Sequence, residues 1–164
     1  MAETENKSAS WKFLQIGMVV RDMNQAVKRF TELGFGPFEA KLLPPSTRPG
    51  AKAKPNEGEV DVQRADMGNV ELELCGPVSG ESPHKEFLDT KGEGVQHLLF
   101  AVPDLNAELE RFSKLGTKIL LHVEFNGGGL AYIDLNTCGF ILELIQLPEN
   151  DPETLKIVLS KKEL

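Results

Sequence analysis

The amino-acid sequence predicts an α+β protein made of two βαβββ half-barrel modules in tandem. The first observation behind this prediction is a long-range repeat, because the apolar segment that begins at Gln15 returns 82 residues later at His97, and Asp22 returns at Asp104 with the same separation. The second observation is that the hydrophobic period in each copy changes from that of a helix to that of strands. A chain of 164 residues is long enough for one domain of moderate core size.

The segment after the first strand of each module is predicted to be a helix. Asp22 and Asp104 stand where an N-cap belongs, and Gly34 and Gly116 stand where glycine commonly ends a helix. Between these markers the apolar residues recur about one helical turn apart and occupy matching places in the two modules: Met23, Val27, Phe30 and Leu33, then Leu105, Leu109, Phe112 and Leu115.

Each helix is followed by a pattern of strands. Both modules end alike, but Glu73 and Glu143 are 70 residues apart and not 82, because the Pro-rich loop at 44–55 is replaced in the second module by a short Gly-rich turn at 126–129. The predicted strands are residues 15–20, 35–43, 58–67 and 69–75, then 97–102, 118–124, 130–134 and 140–147. The predicted domain is 11–147, with modules at about 13–75 and 95–147, a linker helix opening at Ser82-Pro83, and tails at 1–10 and 148–164.

Composition excludes several classes of partner. Net charge is −7, whereas a nucleic-acid-binding surface has to be basic. No apolar run approaches the length of about 20 residues that a membrane helix needs. The first ten residues are polar and lack the apolar core of a signal peptide, so the expected location is the cytoplasm. Cys75 and Cys138 are expected to be free, buried thiols in a reducing compartment.

Four polar residues occupy matching places in strands that are otherwise apolar. Gln15 and His97 open the first strand of their modules, while Glu73 and Glu143 lie in the last strand. A buried carboxylate is costly unless it is paired or binds a metal. One imidazole nitrogen with two or three oxygens suits a divalent ion, so these four residues are the predicted metal ligands.

These paired motifs resemble the vicinal oxygen chelate superfamily, which includes glyoxalase I, methylmalonyl-CoA epimerase, extradiol dioxygenases and fosfomycin-resistance proteins. The resemblance is strongest to methylmalonyl-CoA epimerases, in the run Val-Glu-Leu-Glu-Leu-Cys-Gly-Pro at 70–77 and in Lys-Gly-Glu-Gly-Val-Gln-His at 91–97. It implies one cup-shaped, mostly antiparallel, eight-stranded half-barrel that holds a divalent metal ion (Zn, Co, Ni, Mn or Mg) and forms a homodimer.

The ligand set departs from that of the epimerases, which usually have histidine in place of Gln15. The set of Gln, Glu, His and Glu is similar to that of zinc-type glyoxalase I, but Val19 and Pro77 stand where that enzyme has an arginine and an asparagine for glutathione. Ring-cleaving dioxygenases use two histidines and one carboxylate, so Glu73 disfavours redox iron chemistry.

The resemblance implies an epimerase, isomerase or lyase that abstracts an α-proton and passes through a metal-stabilised enolate. The expected base is among Glu143, Glu57 and Glu59, since two bases are wanted for epimerisation. The expected partner is a small molecule and not nucleic acid or membrane; an acyl-CoA such as methylmalonyl-CoA is one possibility, because basic residues cluster in the long loop (Lys41, Arg48, Lys52 and Lys54). The alternatives are a glyoxalase-I-like lyase acting on a hemithioacetal and a non-catalytic, resistance-type binding protein.

Overall fold

The computed structural model describes residue 8 and residues 10–40, 58–125 and 127–148. The Pro-rich loop, its cluster of basic residues and Glu57 lie outside these ranges. The described residues form eight strands and three helices: β1 (Lys12–Val19), α1 (Met23–Glu32), β2 (Glu39–Ala40), β3 (Glu59–Asp66), β4 (Glu71–Ser79), α2 (Pro83–Lys91), β5 (Gly94–Ala101), α3 (Leu105–Lys114), β6 (Lys118–Phe125), β7 (Gly128–Asp134) and β8 (Ile141–Gln146).

All eight strands join one open sheet in the order β2-β3-β4-β1-β5-β8-β7-β6. Only the β1–β4 and β5–β8 pairs are parallel, and the other five pairs are antiparallel. The predicted α+β fold of two tandem βαβββ modules in a mostly antiparallel, eight-stranded half-barrel is therefore confirmed.

The two modules meet where β1 pairs with β5. Ile16 lies opposite Leu98 and Gly17 lies opposite His97 in this antiparallel pair. Because β4 flanks β1 and β8 flanks β5, the four central strands of the sheet are those that carry the four predicted metal ligands.

Helix α3 covers one face of the second module, as its apolar stripe predicts. Leu105, Leu109 and Phe112 are buried against a core that includes Ala131 and Ile133 of β7. Because successive side chains of a strand point to opposite faces, the neighbouring residues of β7 and β8 face the opposite side of the sheet. That side carries a second apolar cluster centred on Leu130, Tyr132 and Ile145.

The predicted helix ends are confirmed. The carboxylate of Asp22 accepts a hydrogen bond from the backbone N–H of Gln25, and that of Asp104 accepts one from Ala107, each at 2.9 Å. The linker helix begins as predicted after Ser82, whose hydroxyl oxygen accepts from the backbone N–H of Lys85. No helix in the described ranges combines the length and the apolar character that crossing a bilayer demands.

Two local predictions were wrong. The strand expected from residue 35 begins only at Glu39, since Pro37 has no N–H to donate to a neighbouring strand. Cys75 is buried as predicted, but Cys138 is exposed, because it lies in the surface turn between β7 and β8 with a φ of 61°.

Candidate functional site

The buried polar side chains of the described residues are concentrated in one place. They are Gln15, Glu73, Gln96, His97 and Glu143, and four of these five are the predicted metal ligands. They come from β1, β4, β5 and β8, the central strands of the sheet. Burial of two carboxylates is costly without a compensating charge, so their grouping indicates a functional site.

The Nε2 atom of His97 is the meeting point of the four predicted ligands, here called the ligand cluster. It lies 3.3 Å from Oε2 of Glu73, 3.4 Å from Oε2 of Glu143 and 3.4 Å from Oε1 of Gln15. As it stands this is a hydrogen-bonded cluster, and no three His, Cys, Asp or Glu side chains in the described part of the chain form a ready-made coordination shell.

Residues around the cluster hold the outer atoms of Gln15 and Glu73. The Nε and Nη2 atoms of Arg64 both lie 2.7 Å from Oε1 of Glu73, and the thiol of Cys75 contacts Oε2 at 3.3 Å. The amide nitrogen of Gln15 donates to Glu71 at 2.6 Å. Oε2 of Glu73 and Oε1 of Gln15 are thereby turned toward His97.

Electrostatics oppose burial at this site. Burial raises the pKa of Glu73, but its hydrogen bond to His97 and the nearby charge of Arg64 outweigh that effect and hold this pKa well below its usual value. Burial lowers the pKa of His97, but the hydrogen bond to Glu73 and the charge of Glu143 outweigh it, so the pKa of His97 is raised. The cluster therefore favours positive charge at its centre.

Three further residues surround the imidazole ring of His97. The ring of Tyr132 stacks near it with a centroid separation of 6.1 Å, and that of His84 meets it edge-on at 6.2 Å. Burial and the proximity of His97 lower the pKa of His84 to about 4, and its Nδ1 atom has no hydrogen-bond partner among the described residues. Gln96 lies on the Nδ1 side of His97, at 3.0 Å.

Gly17 provides the space that the imidazole occupies. A Cβ atom at this position would lie 2.0 Å from both Cε1 and Nε2 of His97, where van der Waals contact starts near 3.4 Å. Gly17 is the cross-strand neighbour of His97 in the β1–β5 pair. Any side chain here would enter the space of the ring.

The three predicted bases are placed differently. Glu143 belongs to the ligand cluster. Glu59 opens β3 opposite Ser79, five residues before Arg64 and therefore about 16 Å along the strand from it. Glu57 lies outside the described residues. Of the three, Glu143 is the one that the described structure brings to the cluster.

Sequence reasoning missed Arg64, Gln96 and Gly17. Arg64 carried a signal, because it is a charged residue at the position that continues the buried alternation of Val60 and Val62. Gln96 carried one as well, since a polar residue directly before His97 breaks the period of two. Gly17 carried none, because its role depends on the pairing of two distant strands.

Comparisons with known proteins agree on the fold. A family model described as "Glyoxalase/Bleomycin resistance protein/Dioxygenase superfamily" matches residues 14–132. The chain is 31% identical over 99 residues to the Bacillus subtilis protein YqjC, covering 58% of this chain and 70% of YqjC.

Two solved structures are similar to this chain. The protein BH1468 of Bacillus halodurans superposes with a TM-score of 0.62 at 23% identity, covering 87% of this chain and 98% of that one. A Streptomyces coelicolor methylmalonyl-CoA epimerase, in complex with 2-nitronate-propionyl-CoA, has a TM-score of 0.59 at 18% identity, covering 82% and 96%. At these identities the likeness establishes the shared fold.

Proposed function

Because the chain belongs to the glyoxalase/bleomycin resistance protein/dioxygenase superfamily, we propose that it is a divalent-metal-dependent enzyme. Its proposed reaction is removal of the proton from the carbon next to a carbonyl group, as an epimerase or isomerase, or as a lyase. The proposed metal ligands are the ligand cluster: Gln15, Glu73, His97 and Glu143.

The convergence of three oxygen atoms on one nitrogen carries this proposal. Nε2 of His97 lies within 3.4 Å of an oxygen from each of the other three residues, two of which are carboxylates. A single N–H hydrogen can be directed well at only one of three acceptors. A cation at the centre satisfies all four atoms together.

The donor atoms fit such an ion. An imidazole nitrogen, an amide oxygen and two carboxylate oxygens suit Zn²⁺ or a similar divalent ion. Two ligands bound at about 2.1 Å in a tetrahedral shell are about 3.4 Å apart, which is close to the separations measured from Nε2. When bound, the ion would supply Lewis acidity that polarises a substrate carbonyl oxygen.

Glu143 is the proposed base. Its carboxylate accepts the α-proton, the electron pair of the broken C–H bond moves toward the carbonyl oxygen, and return of a proton completes the turnover. Glu73 is less suited to move a proton, because two nitrogen atoms of Arg64 hold its outer oxygen at 2.7 Å. Glu57 and Glu59 stay candidates for a second base in an epimerisation.

The proposed substrate is an acyl-CoA, such as methylmalonyl-CoA. This proposal is supported by the structural likeness to an epimerase that was solved with 2-nitronate-propionyl-CoA. It is also supported by the runs at 70–77 and 91–97, which resemble those of methylmalonyl-CoA epimerases.

A glyoxalase-I-like lyase is the second candidate function, and the ligand set of Gln, Glu, His and Glu favours it. The surroundings count against glutathione as its thiol carrier. Val19, in the place of the glyoxalase arginine, is fully buried in an apolar cluster with Val60 and Val62. Pro77, in the place of the asparagine, has no polar side chain.

Exchange of the substrate α-proton with solvent tests the proposed reaction. In deuterated water, the metal-loaded protein is expected to introduce deuterium at the α-carbon of a 2-substituted acyl-CoA or a 2-hydroxyacyl compound, as measured by mass spectrometry. Exchange should stop when a chelator is added. The Glu143→Gln variant keeps an oxygen ligand but loses the base, so its exchange should fall by about 100-fold or more.

The outcomes separate the candidate functions. Deuterium uptake from a hemithioacetal but not from acyl-CoAs would support the lyase. Absence of uptake from every substrate by a fully metallated protein would contradict the enzyme proposal and favour a resistance-type binding protein.

A cytoplasmic homodimer is also part of the proposal. Strand β6 forms one edge of the sheet, and Ile119 and Leu120 on it are exposed, as is Leu115 just before it. Exposed apolar residues on an edge strand are typical of an association surface. Light scattering is expected to give twice the chain mass of 18.1 kDa, and a monomer at micromolar concentration would contradict the dimer.

A further inference from the structure

Gln96 is placed beside His97 by a β-bulge. The register of the β1–β5 pair shifts from Gly17 opposite His97 to Met18 opposite Val95, which leaves Gln96 as the extra residue of β5. Gln96 and His97 are consecutive, yet both are almost completely buried, at 0% and 1% exposure. Regular alternation would point one of these two side chains to each face of the sheet.

The contacts of Gln96 determine which way its amide group is turned. The amide nitrogen donates to the backbone carbonyl of Pro83 at 2.9 Å, and the amide oxygen lies 3.0 Å from Nδ1 of His97. A carbonyl oxygen can only accept, so the nitrogen of Gln96 has to face Pro83. The oxygen of Gln96 consequently faces His97 and requires that Nδ1 carry the hydrogen.

This arrangement determines the form of the imidazole ring at the ligand cluster. A neutral histidine has one N–H group, and here that group is used on the Nδ1 side. Nε2 then presents a lone pair to the centre of the cluster, which is the form that binds a metal ion.

We infer that Gln96 is a positioning residue that holds His97 as its Nδ1–H tautomer and so directs Nε2 to the metal. Gln96 does not contact the centre of the cluster itself. It also connects His97 to Pro83, the first residue of helix α2, so the orientation of the ring depends on the seating of the linker helix. The effect on metal affinity rests on the proposed function, whereas the tautomer of His97 is a property of the metal-free protein.

The tautomer is measured in the metal-free wild-type protein by ¹⁵N NMR of the imidazole, at a pH at which the ring is neutral. The expected signature is a protonated Nδ1 and an unprotonated Nε2 on His97. A predominant Nε2–H form would overturn the inference, whatever the metal content of the protein.

Two variants separate the hydrogen bond from mere packing. Gln96→Met has a similar volume without hydrogen-bonding groups, and it is expected to populate the Nε2–H form and to weaken Zn²⁺ binding by about 10–100-fold. Gln96→Glu keeps an acceptor for Nδ1–H, so it is expected to restore the wild-type tautomer and to bind Zn²⁺ at least ten times more tightly than Gln96→Met. Equal tautomer populations in both variants and the wild type would overturn the inference.

These measurements also distinguish this inference from the proposed function. A wild-type protein with the Nδ1–H tautomer that binds no divalent ion would contradict the metal site and leave the role of Gln96 in orienting the ring intact. A wild-type protein that binds Zn²⁺ with unchanged affinity after Gln96→Met would keep the metal site and refute the positioning role. Should Gln96→Met fail to fold, the wild-type spectrum and the Gln96→Glu variant still decide the question.

Discussion

The His97→Ala variant is expected to lose its metal ion while it keeps its fold. His97 is the residue whose Nε2 atom contacts all three other members of the ligand cluster. Its loss should weaken metal binding by more than about 100-fold, the upper end of what removing an outer hydrogen-bond partner costs. The surrounding strands are held by the sheet and by apolar cores on both sides, so circular dichroism should remain that of the wild type.

His84→Ala is the matched control for that experiment. Its ring lies beside that of His97, but His84 is not a member of the ligand cluster. Elemental analysis is expected to find the metal in wild-type and His84→Ala proteins and not in His97→Ala. Equal metal content in wild type and His97→Ala would show that the cluster is not the metal site.

The Gly17→Ala variant is expected to disrupt the site without changing any ligand. The added methyl group would lie 2.0 Å from two atoms of the imidazole, so the ring or the strand has to move by about 1 Å or more to restore contact distance. Ligand geometry has to be kept within about 0.5 Å, so metal affinity should fall by more than about 10-fold. Overpacking should also lower the free energy of unfolding by about 1–3 kcal/mol.

Gly76→Ala controls for the general cost of replacing a buried strand glycine. Its new Cβ would lie 3.4 Å from the end of the flexible Met23 side chain, which is ordinary contact. Calorimetric metal titration and chemical denaturation should therefore leave Gly76→Ala close to wild type. Similar losses in both variants would mean that the effect of Gly17→Ala does not arise from the imidazole.

Internal repetition made most of the fold predictable from the sequence. Asp22 and Asp104 marked two helix starts at the same interval as Gln15 and His97, so each module was interpreted with the help of the other. The ligand cluster was predictable for the same reason, because polar residues broke an apolar strand pattern at matching places. The wrong strand start before Glu39 arose where the two modules differ most, at the enlarged loop of the first.

The rest of the candidate site depends on pairing that only the folded chain provides. Gln96 faces the site because the β1–β5 register slips by one residue, and the sequence alone does not show where a bulge will form. Arg64 reaches Glu73 because their strands pair in register. Gly17 matters only because His97, 80 residues farther along the chain, lies directly opposite.

The junction between β1 and β5 has a consequence for how the protein would mature. Gln15 and Glu73 belong to one module, and His97 and Glu143 belong to the other, so neither half owns a complete set of donors. Recruitment of the ion would follow docking of the halves and complete folding. Once captured, the ion would act as a cross-link between them, and at a free concentration 100 times its Kd it would add about 2.7 kcal/mol to the stability of the assembled chain.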